Sequence, residues 1–209
     1  MKKVLFIAMA MLVACVAVAQ PKTTDKALWK QAQKKAKELT NEGWKIDGSK
    51  TLEAALFNHY KKLLDENNQE LMGQVIGETN TQTRQRGQSY ATTNACNLYA
   101  KQARQMVSGR VTNEMGVAKL GVESPETFYE AYESRVAAEL QGELKTSFAI
   151  FREKKGGYLD YQIFFIVNED SASKARLRAM ENAKKESEFA RAHAEELSEF
   201  VRKGFQITE

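Results

Sequence analysis

Leu144-Lys145-Thr146-Ser147-Phe148-Ala149-Ile150-Phe151-Arg152-Glu153 is followed by Lys154-Lys155-Gly156-Gly157 and then by Tyr158-Leu159-Asp160-Tyr161-Gln162-Ile163-Phe164-Phe165-Ile166-Val167. Leu144, Thr146, Phe148 and Ile150 recur at every second position, the period of a strand. Two lysines and two glycines form a turn. The chain then returns with Tyr161, Ile163, Phe165 and Val167 on one side. This pattern predicts a β-hairpin. Phe164 and Ile166 point the other way, so part of the second strand is covered on both faces or lies centrally.

Upstream, residues 71–79 read as a strand, with Met72, Gln74 and Ile76 on one face and Leu71, Gly73 and Val75 on the other. Its glycines mark a bulge or a close backbone approach. The polar run 79–89, with Arg84, Arg86 and Gly87, begins the next helix or leads into it. Ala91, Ala95, Tyr99, Ala103, Val107 and Val111 then fall at i, i+4 intervals, widened by Leu98 and Met106. They predict an amphipathic helix whose small residues let it lie close to a sheet. After a loop over 116–121, Ser124-Pro125-Glu126-Thr127 predicts a helix start, with Ser124 as cap and Pro125 at the first helical position. That helix runs to about Gln141.

Further out, Ala27, Leu28, Ala32, Ala36 and Leu39 predict a helix from Thr24, its cap, to about Glu42, ended by Gly43. Trp44-Lys45-Ile46 reads as a short extended link, and Asp47-Gly48-Ser49 as a turn. Leu52, Leu56, Tyr60 and Leu63 form the stripe of a second helix, 51–65, stopped by Asn67 and Asn68. At the other end, Ala175, Ala179, Ala183, Ala190, Ala194, Leu197 and Val201 trace a seam along one long charged helix, 171–204. The expectation is an α+β fold. A small antiparallel sheet of about three strands carries helices on one face, with long N- and C-terminal helices. The organisation read from the chain is residues 1–19 a signal peptide, 20–69 an N-terminal helical segment, 70–168 the α+β core domain and 169–209 the long C-terminal helix.

The signal peptide reading rests on Lys2 and Lys3, the uncharged apolar run 4–18, and the small-x-small pattern Ala17-Val18-Ala19 before Gln20. The run is too short to span a bilayer comfortably. Cleavage between Ala19 and Gln20 makes the protein periplasmic or secreted. Leu12-Val13-Ala14-Cys15 offers the other cut, with a lipid on Cys15 and an outer-membrane lipoprotein as the product. Either way Cys96 is left without a cysteine to pair with, so this is no disulfide scaffold. Among Ala95, Leu98 and Tyr99, Cys96 is expected to be buried.

The formal charge is +4, and +2 without Lys2 and Lys3. That balance argues against a nucleic-acid binder, and against a membrane partner unless Cys15 is lipidated. Lys26, Lys30, Lys34, Lys35 and Lys37 make the first helix locally basic. They are a solvated face, or they touch anionic lipid headgroups or a cell-wall polymer. Arg84 and Arg86 form a second basic spot, read as solvated.

Catalytic motifs are missing from the sequence. His59 and His193 lie on charged helices and read as surface or rim histidines, without the spacing of a metal-ligand set. Glu195-Glu196 and Asp65-Glu66 read as solvated helix charge. A hairpin turn accounts for Gly156-Gly157. Catalytic, cofactor-binding and metal-binding residues are therefore expected to be none, and the protein is read as no enzyme. A hydrolase would need polar groups assembled only by the fold.

Ala91-Thr92-Thr93-Asn94-Ala95-Cys96-Asn97-Leu98-Tyr99-Ala100, Val107-Ser108-Gly109-Arg110-Val111 and the hairpin strands form a pattern across residues 70–185. It resembles the lipoprotein-20-like family of bacterial envelope proteins, related to the N-terminal domain of a flagellar assembly factor. The resemblance implies alanine-rich helices packed on a sheet that ends in a hairpin. It also implies an envelope structural or assembly role, and carries over no catalytic residues. The leading expectation is an exported protein that binds another envelope protein or a cell-wall component. The alternative is a secreted or periplasmic binding domain for a small ligand or polysaccharide. Tyr158, Tyr161, Phe164 and Phe165 would line its site or else pack the core.

Overall fold

The hairpin forms where the alternating pattern places it. In a computed structural model, which describes residues 24–64, 72–115 and 125–205, the chain is α+β. It runs α1 (Asp25–Asn41), β1 (Lys45–Ile46), α2 (Leu52–Leu63), β2 (Met72–Thr81), α3 (Arg84–Arg110), α4 (Glu126–Leu140), β3 (Lys145–Glu153), β4 (Leu159–Asn168), α5 (Glu169–Lys184), α6 (Glu188–Ala192) and α7 (Ala194–Lys203). A π-helical turn, Val111–Met115, extends α3. The proposed cleavage residues Ala17, Ala19 and Gln20, the lipidation candidate Cys15, the cap Ser124, and Leu71, Asn67, Asn68 and the pair Asp65-Glu66 lie outside the described residues.

β3 and β4 are joined by Gly156 and Gly157, both at positive φ (83° and 76°). The Lys154 N–H donates to the Tyr158 carbonyl at 2.8 Å. Glycine reaches that region without the steric cost a Cβ brings. The antiparallel sheet has the order β1-β3-β4-β2, so it has four strands rather than about three. The fourth is the link Lys45–Ile46, which pairs with Phe151 and Ile150 of β3. Pairing continues into the next residue, where the Asp47 N–H donates to the Ala149 carbonyl at 2.9 Å. An unpaired edge beside β3 would leave backbone donors and acceptors open; β1 covers it over Ala149, Ile150 and Phe151.

The register also corrects the expected alternation. Thr146 pairs with Phe165 and Phe148 with Phe164, leaving Ser147 unopposed in a β-bulge. One extra residue reverses which face each later side chain takes. Thr146 therefore shares a face with Phe165, while Phe148 and Ile150 share the other.

Helices cover both faces of the sheet, not one. On the first, α1 and α2 bury Ala32, Ala36 and Leu56 against Phe148, Ile150 and Phe164. On the second, Ala91 and Ala95 of α3 pack on Phe151, Ile163 and Phe165. The reason lies in β4, which is apolar on both sides from Ile163 to Val167. Fully burying each of these side chains contributes roughly 2 kcal/mol, so neither face can be left to water. Outside α3, a third cluster joins it to α4, α5 and α7 through Val107, Phe128, Tyr132, Met180, Leu197 and Val201.

The helix starts follow their local chemistry. The Thr24, Thr51 and Thr83 hydroxyls accept from the N–H groups of Ala27, Ala54 and Arg86, which satisfies donors left open at a helix start. The seam read as one long C-terminal helix is three helices. Lys185 and Glu186 bond back three residues to Asn182 and Ala183, tightening the last turn of α5. The buried Ser187 then caps α6, its hydroxyl accepting from the Ala190 N–H at 3.2 Å. A second break at His193 starts α7. Folding back puts Leu197, Phe200 and Val201 into the cluster with Met180 and Ala183, apolar surface that a straight helix would leave in water.

Candidate functional site

The bulge and the hairpin register divide the first sheet face into an apolar half and a polar half. Near the bulge, Phe148, Phe164 and Ile76 lie under α1 and α2. Toward the hairpin turn, Asp160 lies opposite Arg152 on one side and Asn80 on the other, and Gln162 lies between Ile150 and Glu78. These polar residues alternate along β2 and β4 with buried ones, which is how one strand serves core and surface.

Asp160 is the hub of that half. Its Oδ1 accepts from Asn80 Nδ2 at 3.1 Å and pairs with Lys154 Nζ at 2.6 Å. Oδ2 accepts from Arg152 Nε at 3.2 Å and from an Arg152 terminal nitrogen at 2.7 Å. Burial pushes this carboxyl up, but the bonds from Lys154, Arg152 and Asn80 outweigh it and hold its pKa below the usual range. A carboxylate offers about four lone-pair sites, and all are in use, so Asp160 organises its neighbours and is not poised as a free base. Glu78 moves the other way. Desolvation raises its pKa first and the Asp160 charge adds to it, with Arg152 opposing. Glu78 Oε1 accepts from Gln162 Nε2 at 2.6 Å. Arg152 also lies over the Trp44 ring at 4.6 Å and donates to the Glu42 carbonyl at 3.2 Å.

Beside it, Asp47 clamps the end of β1. Its Oδ2 accepts from the buried Tyr161 hydroxyl at 2.7 Å, and its Oδ1 from Arg84 at 3.1 Å. Burial and then the Asp47 contact raise the Tyr161 pKa, keeping the phenol a donor. Asp47, Lys50, Asn58, Lys62 and Ser147 border a cleft of about 260 Å³. Together these groups can hydrogen-bond a hydroxyl-rich or anionic molecule.

The residues picked out from the sequence fall elsewhere. His59 is not on a rim; it is fully buried. Its ring stands edge-on to Phe148 and Phe164 at 5.6 and 5.7 Å. Nε2 lies 3.0 Å from Gln74 Oε1. Nδ1 has no partner among the described residues. Burial lowers its pKa, partly offset by Gln74, with Lys62 lowering it further. The sequence missed this because α2 turns a polar residue inward at the one place where Gln74 meets it. His193 is half-buried at the α6–α7 break, 4.9 Å from Phe189. Cys96 is buried, and burial raises its pKa away from the reactive thiolate. Glu195 and Glu196 are exposed on α7. Of the four aromatics, Tyr161, Phe164 and Phe165 are core residues and only Tyr158, at the turn, is exposed. The signal for the polar half was the alternation Glu78, Asn80 and Asp160, Gln162 within strands otherwise read for their apolar members.

A second polar cluster lies in the outer helical layer. Arg176 is fully buried; it donates to the Tyr99 hydroxyl and to Glu169 Oε1, and lies 5.4 Å from the Phe205 ring. Burial pushes the Tyr99 pKa up to about 12. Among the described residues no group of three or more His, Cys, Asp and Glu could hold a metal ion, and no helix is long and apolar enough to cross a membrane.

No protein-family model, no curated protein and no solved structure matches the chain.

Proposed function

We propose that this is an exported protein of a bacterial cell envelope that acts by binding, holding another envelope protein or a cell-wall component. The observation that carries the reading is the leader: Lys2-Lys3, the apolar run 4–18 and Ala17-Val18-Ala19 before Gln20. The pattern over residues 70–185, similar to the lipoprotein-20-like family, supports it. The way Asp160 and Arg176 are engaged supports binding over catalysis. Asp160 is saturated by donors, and Arg176 is tied to Tyr99 and Glu169. The test is the intact mass of the protein recovered from fractionated cells. A soluble chain starting at Gln20 means a periplasmic or secreted protein, and an acylated chain starting at Cys15 means a lipoprotein. An uncut chain in the cytosol overturns the proposal.

The polar half of the sheet favours a second reading, a binding domain for a small ligand or polysaccharide. Planar amides and carboxylates at fixed spacing suit sugar hydroxyls, and Asn80, Gln162 and Glu78 supply them. A thermal-shift screen of glycans against wild type and Glu78→Ala tests it. Stabilisation that Glu78→Ala abolishes supports the site, and no stabilising glycan removes it.

A further inference from the structure

We propose that the outer face of α1 is a peripheral docking surface for an anionic lipid bilayer. Lys26, Lys30, Lys34 and Lys37 recur at spacings of four, four and three and so share one face of the helix. The opposite face, Leu28, Ala32, Ala36 and Leu39, is buried on the domain. All four lysines are exposed, and none pairs with an acidic group among the described residues. Two acids on the same helix pair with other lysines, Glu38 with Lys35 and Asp25 with Lys61. On α5 and α3, by contrast, Arg178 sits against Glu139 and Glu143, and Arg104 against Glu133. Like charges stacked at i, i+4 weaken a helix, so the unpartnered stripe fits an anionic partner outside the molecule. The near-neutral total charge hides it because the excess is confined to one face.

The flank of the stripe selects a bilayer over a soluble polyanion. Trp29 is 39% exposed and packs edge-on against the half-buried Phe57 at 5.4 Å. An amphipathic aromatic beside lysines is the composition of a headgroup-level anchor. The cellular setting rests on the export reading. Under lipidation the short segment from Cys15 to Thr24, at roughly 3.5 Å per residue, holds α1 within about 30 Å of the lipid.

The test reads Trp29 emission as wild type minus Trp29→Phe, which subtracts the buried Trp44. The chain is mixed with phosphatidylcholine vesicles with or without phosphatidylglycerol, and with dextran sulfate. Docking predicts a blue shift with phosphatidylglycerol vesicles alone, reversed by salt. Lys26→Gln/Lys30→Gln/Lys34→Gln/Lys37→Gln weakens it by about a hundredfold or more, since each lysine near an anionic surface contributes a several-fold factor. Circular dichroism checks that the variant is folded, and Lys30→Gln/Lys34→Gln replaces it if not. An equal shift on neutral vesicles, no shift on anionic ones, or the same shift and affinity with dextran sulfate overturns the proposal. The assay reads the face whether or not the leader is cut, so its failure and a failure of the export reading are separate results.

Discussion

Gly77 of β2 lies so close beneath Ala91 of α3 that a Cβ at Gly77 would sit 1.8 Å from the Ala91 carbonyl oxygen. That atom belongs to a helix backbone and cannot swing aside as a side-chain tip can. Gly77→Ala must therefore push α3 away from the sheet, and should cost about 3 kcal/mol or more, at or beyond the upper end of overpacking effects. Urea or thermal unfolding measures it. A loss under about 1 kcal/mol would show that the helix lifts freely.

Gly109, on the same helix, is the opposite case. A Cβ there meets nothing within 4 Å, and the backbone is helical. Gly109→Ala should stabilise the protein by about 0.5–1 kcal/mol, because alanine loses less backbone entropy on folding. The same melts read this gain, and destabilisation would contradict the open space around Gly109.

His59 makes stability depend on pH. Its folded pKa lies below the ordinary 6.5 because burial disfavours the imidazolium. The unfolded chain then binds more protons in acid, so this stabilisation is present above 6.5 and is lost as pH falls toward the folded pKa. One such group gives a slope of at most about 1.4 kcal/mol per pH unit. His59→Gln removes the titration while an amide still faces Gln74. Between about pH 7 and pH 5 the wild type should lose its advantage over the variant. Unfolding curves that stay parallel through that window would mean His59 does not carry the effect.

The Arg176–Glu169 pair joins a fully buried guanidinium to a carboxylate that is 52% exposed. Removing the exposed partner strands the buried charge, whereas removing the arginine lets Glu169 turn to water. Glu169→Gln should therefore cost about 2 kcal/mol and at least as much as Arg176→Met, although it alters the more exposed residue. Chemical denaturation ranks the two variants; a neutral Glu169→Gln would sink the argument.

The α+β class, the hairpin, the small-residue face of α3 and the threonine cap of α1 are all legible in the amino-acid order. Each is written in neighbours a few positions apart: alternation in 144–167, spacing four in 91–111, and Thr24 before its helix. Tertiary structure decided the rest. Two residues, Lys45 and Ile46, became a strand only because β3 had an open edge, and no local pattern reports a distant edge. The unopposed Ser147 is defined only by its partner strand, so the alternation through it assigned the wrong faces. The C-terminal seam kept a helical period through Ser187 and His193, yet the chain breaks there because folding back buries Leu197 and Phe200. His59 moved to the core, and Asp160 became a hub, through contacts with Gln74, Arg152 and Asn80 on other elements. Local geometry follows from the energies of neighbouring residues. Which faces are covered, and which polar groups meet, follows from burial shared between segments far apart in the chain.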